Sequence, residues 1–171
     1  KNTQTAFVAL QALRNVCNIE VSSRAIAEGF ANVCDLTGLR GRWEILRQQP
    51  LVICDTAHNS HGIRYVAAQL NELSVKQLWI VFGMVADKDI DMVISVLREE
   101  AVDYFTQASS SRALPAKELQ RRWQQQHPEH SDSRSFTSVK EAVEIAQKES
   151  THEDVIFVGG SNYVVGEMFR V

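Results

Sequence analysis

From Trp43 onward, short apolar runs alternate with longer stretches of helical periodicity, and few folds accommodate that rhythm. The runs occupy 51–54, 78–82, 102–106 and 155–158, and the helical stretches occupy 60–73, 89–100, 116–126 and 138–150. Runs this short have the length of strands, and the helical stretches between them supply the crossovers that parallel strands require. The alternation predicts an α/β fold: a Rossmann-like, mostly parallel open sheet with helices on both faces. The runs are largely continuous in apolar residues rather than apolar at every second position, as expected of strands covered on both sides. Weaker strands are expected at 44–46 and near Phe136, and "HPEHSDSRS" at 127–135 reads as a polar loop.

The residues ahead of this region follow a different pattern. Ala6, Leu10, Leu13 and Val16 are spaced by three and four, and Ile26, Phe30 and Val33 follow Ser22 or Ser23 as N-cap. Two amphipathic helices in succession predict a helical hairpin over 1–34. A linker broken by glycines follows at 35–42, and the sheet domain occupies 43–171. "KNTQTAFVALQAL" opens without Met and already in helical pattern, so the chain is expected to be a piece of a larger protein.

Composition narrows the function classes. A chain of 171 residues is long enough for one well-cored domain, or for one domain plus an appendage. A net charge of −3 and a pI near 6.0 offer no basic footprint for nucleic acid. No apolar run approaches the ~18 residues of a membrane span, so neither nucleic acid nor membrane is expected as a partner. Cys17, Cys34 and Cys54 are odd in number, widely spaced and without a C-x-x-C, which argues against a disulfide framework or structural zinc and predicts a cytoplasmic setting.

Open parallel sheets bind their ligands beyond the carboxyl ends of the strands. Those ends carry Asp55 with His58, Gly83 with Asp87 and Lys88, Ser109 to Arg112, and "GGSN" at 159–162. An acid, a base, two cations and a glycine pair on one edge suit a crevice for a small anion or a nucleotide. "ICDTAHNSHG" at 53–62 admits three readings. Asp55, His58 and His61 could ligate a metal, although no matching cluster stands at another strand end to complete the three ligands a catalytic site needs. Asn59 or Ser60 could cap the next helix while Asp55 bonds backbone. Asp55 could instead accept ribose hydroxyls, a recurring use of a strand-end carboxylate.

The remaining motifs are equally double. "GGSN" serves either as a tight turn with Ser161 as N-cap or as a close backbone approach to an anion. Asp87, Asp89 and Asp91 suit a helix start, but Lys88 there opposes the helix dipole. Arg112 can fork a carboxylate or lie in solvent. Neither G-x-G-x-x-G nor G-x-x-x-x-G-K-[ST] occurs, so this chain has no phosphate-gripping loop of its own. Nor is there a G-x-S-x-G elbow for nucleophilic catalysis.

Taken together, these residues resemble the C-terminal part of the folylpolyglutamate synthase/dihydrofolate synthase family, within the Mur ligase superfamily. The resemblance runs over essentially the whole chain. It is carried by "KNT", "GRWEIL", "ICDTAHN", "VFGMVADKDI", "YFTQASSSRAL" and "FVGGSNYVV", in family order. It implies the Mur ligase C-terminal fold and an ATP-dependent amide ligase. A folate carboxylate is phosphorylated to an acyl phosphate, the amine of glutamate attacks it, and an amide, ADP and phosphate result.

The same resemblance implies ATP and Mg2+ as cofactors, with the phosphate loop and the metal ligands outside this chain and no metal ligand within it. Residues 1–34 would be the last helices of a central ATPase domain over which 43–171 closes. The implied partners are ATP, L-glutamate, a reduced folate or dihydropteroate, and the protein's own N-terminal ATPase domain; the parent is expected to be monomeric. Motif by motif, Asn2 resembles an adenine-side contact, Arg42 a nucleotide contact and Asp55 the ribose clamp. His58 resembles the catalytic histidine beside the nucleotide and the glutamate pocket. Lys88 and Ser161 fall where related ligases bind the carboxylates of the amino acid. Arg112 falls near an amino-acid-binding arginine, although "SSSR" departs from the Asp-Asn-Pro-Arg of the Mur relatives. The piece alone is expected to be inactive. The alternatives are a non-catalytic α/β ligand-binding module and another Mur-type amide ligase.

Overall fold

The computed structural model describes residues 2–17, 19–98, 100–129 and 132–170, without the side chain of Asn2. They divide into two compact units, one ending at Arg40 and one beginning at Gly41. The first holds α1 (Asn2–Val16), α2 (Ser23–Ala31) and α3 (Val33–Thr37). Ser22 is the N-cap of α2, its Oγ accepting from the Ala25 N–H at 3.1 Å. The third helix takes in residues 35–37, which the sequence assigned to a linker. It ends at Gly38 because a left-handed φ of 67° there closes the last turn, so the glycine rather than Asp35 marks the stop. Ala6, Leu13 and Val16 are exposed and Leu10 is half-buried. The apolar periodicity identified a helix here without identifying a covered face.

The second unit builds the sheet. Its elements are β1 (Glu44–Gln48), β2 (Leu51–Asp55), α4 (Ser60–Glu72), β3 (Leu78–Phe82), α5 (Ile90–Ile94), β4 (Val102–Phe105), α6 (Ala116–Gln126), β5 (Arg134–Ser135), α7 (Val139–Glu149), β6 (Val155–Gly159) and α8 (Asn162–Met168). The strand order is β1-β2-β6-β3-β4-β5, parallel except for the β1–β2 hairpin. The fold is therefore the mostly parallel α/β sheet that the alternation predicts.

Side chains alternate between the faces of a strand, and here both faces are core. Ile53, Ile80, Phe82, Phe105 and Phe157 pack with Ile63, Val66, Ile94, Leu119 and Trp123 from α4, α5 and α6. Their neighbours Val52, Cys54, Val81, Tyr104 and Ile156 pack with Val139, Val143, Val164 and Met168 from α7 and α8. Each buried aliphatic or aromatic side chain contributes about 1.5–3 kcal/mol, which is why continuous apolar runs end in the middle of this sheet.

One helix is shorter than its pattern. The stretch 89–100 was expected to be helical throughout, yet α5 stops at Ile94. Beyond it Val96 and Leu97 donate to Val93 and Ile94, three residues back, at 3.4 and 3.1 Å, so the chain tightens out of the α-helix.

The last strand sets the position of the site. β6 lies between β2 and β3, with Asp55 and Phe82 both in register with Gly159. The chain leaves β2 and β3 toward α4 and α5 on one face and leaves β6 toward α8 on the other. Neighbouring strands whose connections diverge leave a crevice beyond their carboxyl ends.

Candidate active site

The end of β2 is tied to the segment before β1. Asp55 accepts from the Trp43 N–H at Oδ2 (2.8 Å) and from the Ala57 N–H at Oδ1 (2.7 Å). Trp43 has a φ of 46°, uncommon for a residue with a side chain, and the Asp55 carboxylate holds its amide in place. Gly41, at φ 70°, passes so close that a Cβ would lie 2.8 Å from both Thr56 Cγ2 and Val165 Cγ1, so only glycine fits. Thr56 donates its N–H (2.9 Å) and its hydroxyl (3.0 Å) to the Gly41 carbonyl, and its Oγ1 accepts from Arg42.

His58 stands next along this loop, its Nδ1 3.0 Å from the carbonyl oxygen of Thr56. A carbonyl only accepts, so Nδ1 carries the hydrogen, and in the neutral ring Nε2 is the nitrogen left to accept a proton. Asn59 then caps α4 by accepting from the Gly62 N–H at 2.8 Å. Both parts of the cap reading are thus present: Asn59 at N-cap and Asp55 on backbone. Each Asp55 oxygen retains a second acceptor position.

The loops after β3 and β4 are zipped together. Leu114 N–H donates to Met84 (2.8 Å), Ala86 N–H donates to Arg112 (2.9 Å), and Val85 pairs with Ala113 in an antiparallel bridge. The zipper brings the Arg112 guanidinium onto the Asp87 carboxylate, and Lys88 Nζ lies 3.9 Å from the same group. The hydrogen bond from Arg112 holds the Asp87 carboxyl below the usual carboxylate range. Asp87, and after it Tyr163, push the Arg112 guanidinium above its ordinary value. Asp89 is the N-cap of α5, accepting from the Met92 N–H at 3.3 Å. Lys88 therefore precedes the helix instead of sitting in its first turn, which removes the dipole conflict its position suggested. Ser109 fixes the far end of the second loop by donating N–H and Oγ to Glu167 of α8, at 2.7 and 2.5 Å.

At the end of β6, Gly160 adopts a φ of 96° with its Cα so close to β3 that a Cβ would meet the Gly83 carbonyl oxygen at 2.6 Å. Ser161 is 3% exposed and caps α8, its Oγ accepting from the Val164 N–H at 3.1 Å. Above these loops opens a cleft of about 400 Å3 floored by Val85, with His58, Lys88, Arg112, Ser161, Asn162 and Tyr163 on its walls.

Four of the residues singled out from sequence thus meet in one place: His58, Lys88, Arg112 and Ser161. Asp55, at the end of β2, and Arg42, which precedes β1 and donates to Thr56, do not line the cleft. His61 is exposed on α4, edge-on to Tyr65 at 5.0 Å, and takes no part. The side chain of Asn2 lies outside the described residues. Among the described residues no three His, Cys, Asp or Glu side chains converge as metal ligands, so the metal reading of "DTAHNSHG" finds no support. No helix among them is long and apolar enough to cross a membrane. Sequence reasoning gave no role to Tyr163 or Thr56. An exposed aromatic opening α8 two residues after Ser161 was a usable signal for the first. Nothing in the local pattern marked Thr56, whose partners lie fourteen and fifteen residues earlier.

Comparison with known proteins fits this geometry. Residues 41–162 match the family described as Mur ligase, glutamate ligase domain. Dihydrofolate synthase/folylpolyglutamate synthase of Escherichia coli (strain K12) is 31% identical over 173 residues, covering 99% of this chain and 37% of that protein. A solved structure of E. coli FolC in complex with DHPP and ADP superposes with a TM-score of 0.82 at 30% identity, over 99% of this chain and 38% of that one. A bifunctional folylpolyglutamate synthase/dihydrofolate synthase with Mn, AMPPNP and L-glutamate bound gives a TM-score of 0.76 at 27% identity, over 94% and 37%. The chain spans less than two-fifths of the length of these relatives. The family match covers most of the sheet unit and every residue of the cleft except Tyr163, and on that ground the chain belongs to the Mur ligase family, as its glutamate ligase domain.

Proposed function

We propose that this chain is the C-terminal part of an ATP-dependent folylpolyglutamate synthase, with or without dihydrofolate synthase activity, that joins L-glutamate to a folate or pteroate carboxylate through an acyl phosphate. The observation that carries the proposal is the cleft, which gathers a histidine held through its Nδ1, two cations, Lys88 and Arg112, and Ser161. Two carboxylates and one amine are what glutamate brings, and the cleft offers a partner to each. A structurally similar ligase holds L-glutamate and a nucleotide analogue.

In this reading Lys88, Arg112 and Ser161 pin the carboxylates of glutamate so that its nitrogen attacks in a nearly intramolecular step. The nitrogen forms a bond to the acyl carbon, the carbon–oxygen bond to phosphate breaks, and the proton shed by the amine passes to His58 Nε2. Arg112 exchanges Asp87 for the substrate carboxylate as it does so. Asp55 and Arg42 face the ribose and the nucleotide, each Asp55 oxygen accepting a hydroxyl besides its backbone amide. The described residues offer Mg2+ no complete ligand set. Mg2+ and the phosphate grip are therefore assigned to the rest of the enzyme, together with the folate or dihydropteroate site and the adenine contacts near Asn2. Residues 1–34 belong to that ATPase domain, 35–42 join it to this one, and the parent works as a cytoplasmic monomer.

The test is steady-state kinetics on the full-length enzyme carrying Lys88→Ala. The KM for L-glutamate should rise at least about tenfold while the KM for ATP stays within about twofold, the loss expected for a charged hydrogen bond. An unchanged KM for L-glutamate removes the carboxylate role from this cleft.

A further inference from the structure

The two sides of the site share one small residue. Thr56 uses every polar atom it has: its N–H and its hydroxyl hydrogen go to the Gly41 carbonyl, its Oγ1 lone pair receives Arg42, and its own carbonyl receives His58 Nδ1–H. A hydroxyl has one hydrogen and two lone pairs, so donating to Gly41 and accepting from Arg42 at once satisfies its chemistry. Gly41 has a left-handed φ and leaves no space for a Cβ beside Thr56 and Val165, and Trp43 is held at its own positive φ through Asp55. Arg42 is thus carried on a backbone pinned on both sides, and the Thr56 hydroxyl is the contact described for its guanidinium.

We propose that Thr56 is a positioning residue that couples the nucleotide side of the site to the amine side. Its hydroxyl aims Arg42 and its carbonyl fixes the tautomer of His58. The inference rests on the nucleotide role proposed for Arg42 and goes beyond it, since Thr56 itself touches no substrate. The two couplings separate by chemistry. Replacing Thr56 by Val keeps the backbone carbonyl, and with it the His58 contact, but removes the hydroxyl. Arg42 loses its acceptor, and the Gly41 carbonyl keeps the Thr56 N–H alone.

The experiment uses the full-length enzyme with ATP, L-glutamate and a reduced folate. Thr56→Val should raise the KM for ATP by about tenfold, the effect of losing a hydrogen bond to a charged group, with kcat within about twofold. Thr56→Ser, which restores the hydroxyl, should bring the KM for ATP back to the parent value. Arg42→Ala should raise it at least as far, and Thr56→Val added to Arg42→Ala should raise it no further, because the two act through one contact. Thr56→Ala carries the same expectation should Thr56→Val fold poorly. If Arg42→Ala raises the KM for ATP and Thr56→Val leaves it unchanged, the positioning role is overturned while the nucleotide role of Arg42 stands. If neither moves it, both are overturned. A fall in melting temperature and kcat at constant KM would reduce Thr56 to a staple of the loop and overturn the proposal as well.

Discussion

Asp103 puts a carboxylate where the sheet has no room for one. It lies on β4 on the same side as Phe105, is 3% exposed, and its Oδ1 is sealed without a hydrogen-bond partner among the described residues. Burial pushes its carboxyl up to about 8, so the folded chain holds a proton that the unfolded chain releases near pH 4. A raised pKa in the folded state gives stability that is complete below the unfolded value and lost as pH climbs through the folded one. Between pH 5 and pH 8 the loss is on the order of 3 kcal/mol, at up to about 1.4 kcal/mol per unit. Asp103→Asn removes the proton and should flatten that slope. Urea unfolding of both proteins at the two pH values measures the difference, and equal slopes would count against it. The run 102–106 announced a strand but not this cost, because an isolated polar residue within such a run does not change its period.

Among the elements, α8 and the turn before it show how two nearby glycines differ. Gly166 lies inside the helix with nothing within 4 Å of where a Cβ would stand, while Gly160, just before it, has a φ of 96° and no space. Gly166→Ala should stabilise by about 0.5–1 kcal/mol, the helix-propensity difference. Gly160→Ala should destabilise by about 2 kcal/mol or more through strain and collision with Gly83. Thermal unfolding of the pair checks both signs, and a destabilised Gly166→Ala would mean that the open space is filled. The sequence located most elements to within a residue or two: Ser22, Asn59 and Ser161 all cap as their chemistry suggests. It failed where tertiary hydrogen bonds decide. The early stop of α5 depends on turns beyond Ile94, and the approach of Arg112 to Asp87 depends on a zipper between loops whose residues show no pattern.

On the scale of the whole molecule, the cleft residues come from four strand ends, which is why their grouping could be listed from sequence but not measured. His58, Lys88, Arg112 and Ser161 were each readable as a strand-end residue; that they share one cleft needed the β2-β6-β3-β4 order. The described chain has no phosphate loop and no metal trio. The isolated 171 residues should therefore show no ATP turnover with folate and L-glutamate, measured as released phosphate. Ligase turnover from this chain alone would overturn the division of labour proposed above.

The position of β6 has a consequence for how the molecule is made. Every parallel contact of β2 and the inner edge of β3 is to a strand encoded about a hundred and about seventy-five residues later, respectively. Without β6, β2 and β3 have no partner on their facing sides, and each leaves a strand edge of unpaired N–H and C=O groups. β6 closes that gap, and the turn and helix after it carry Ser161 and Tyr163. A chain cut before β6 should therefore lack both the joined sheet and the Ser161–Tyr163 wall of the cleft.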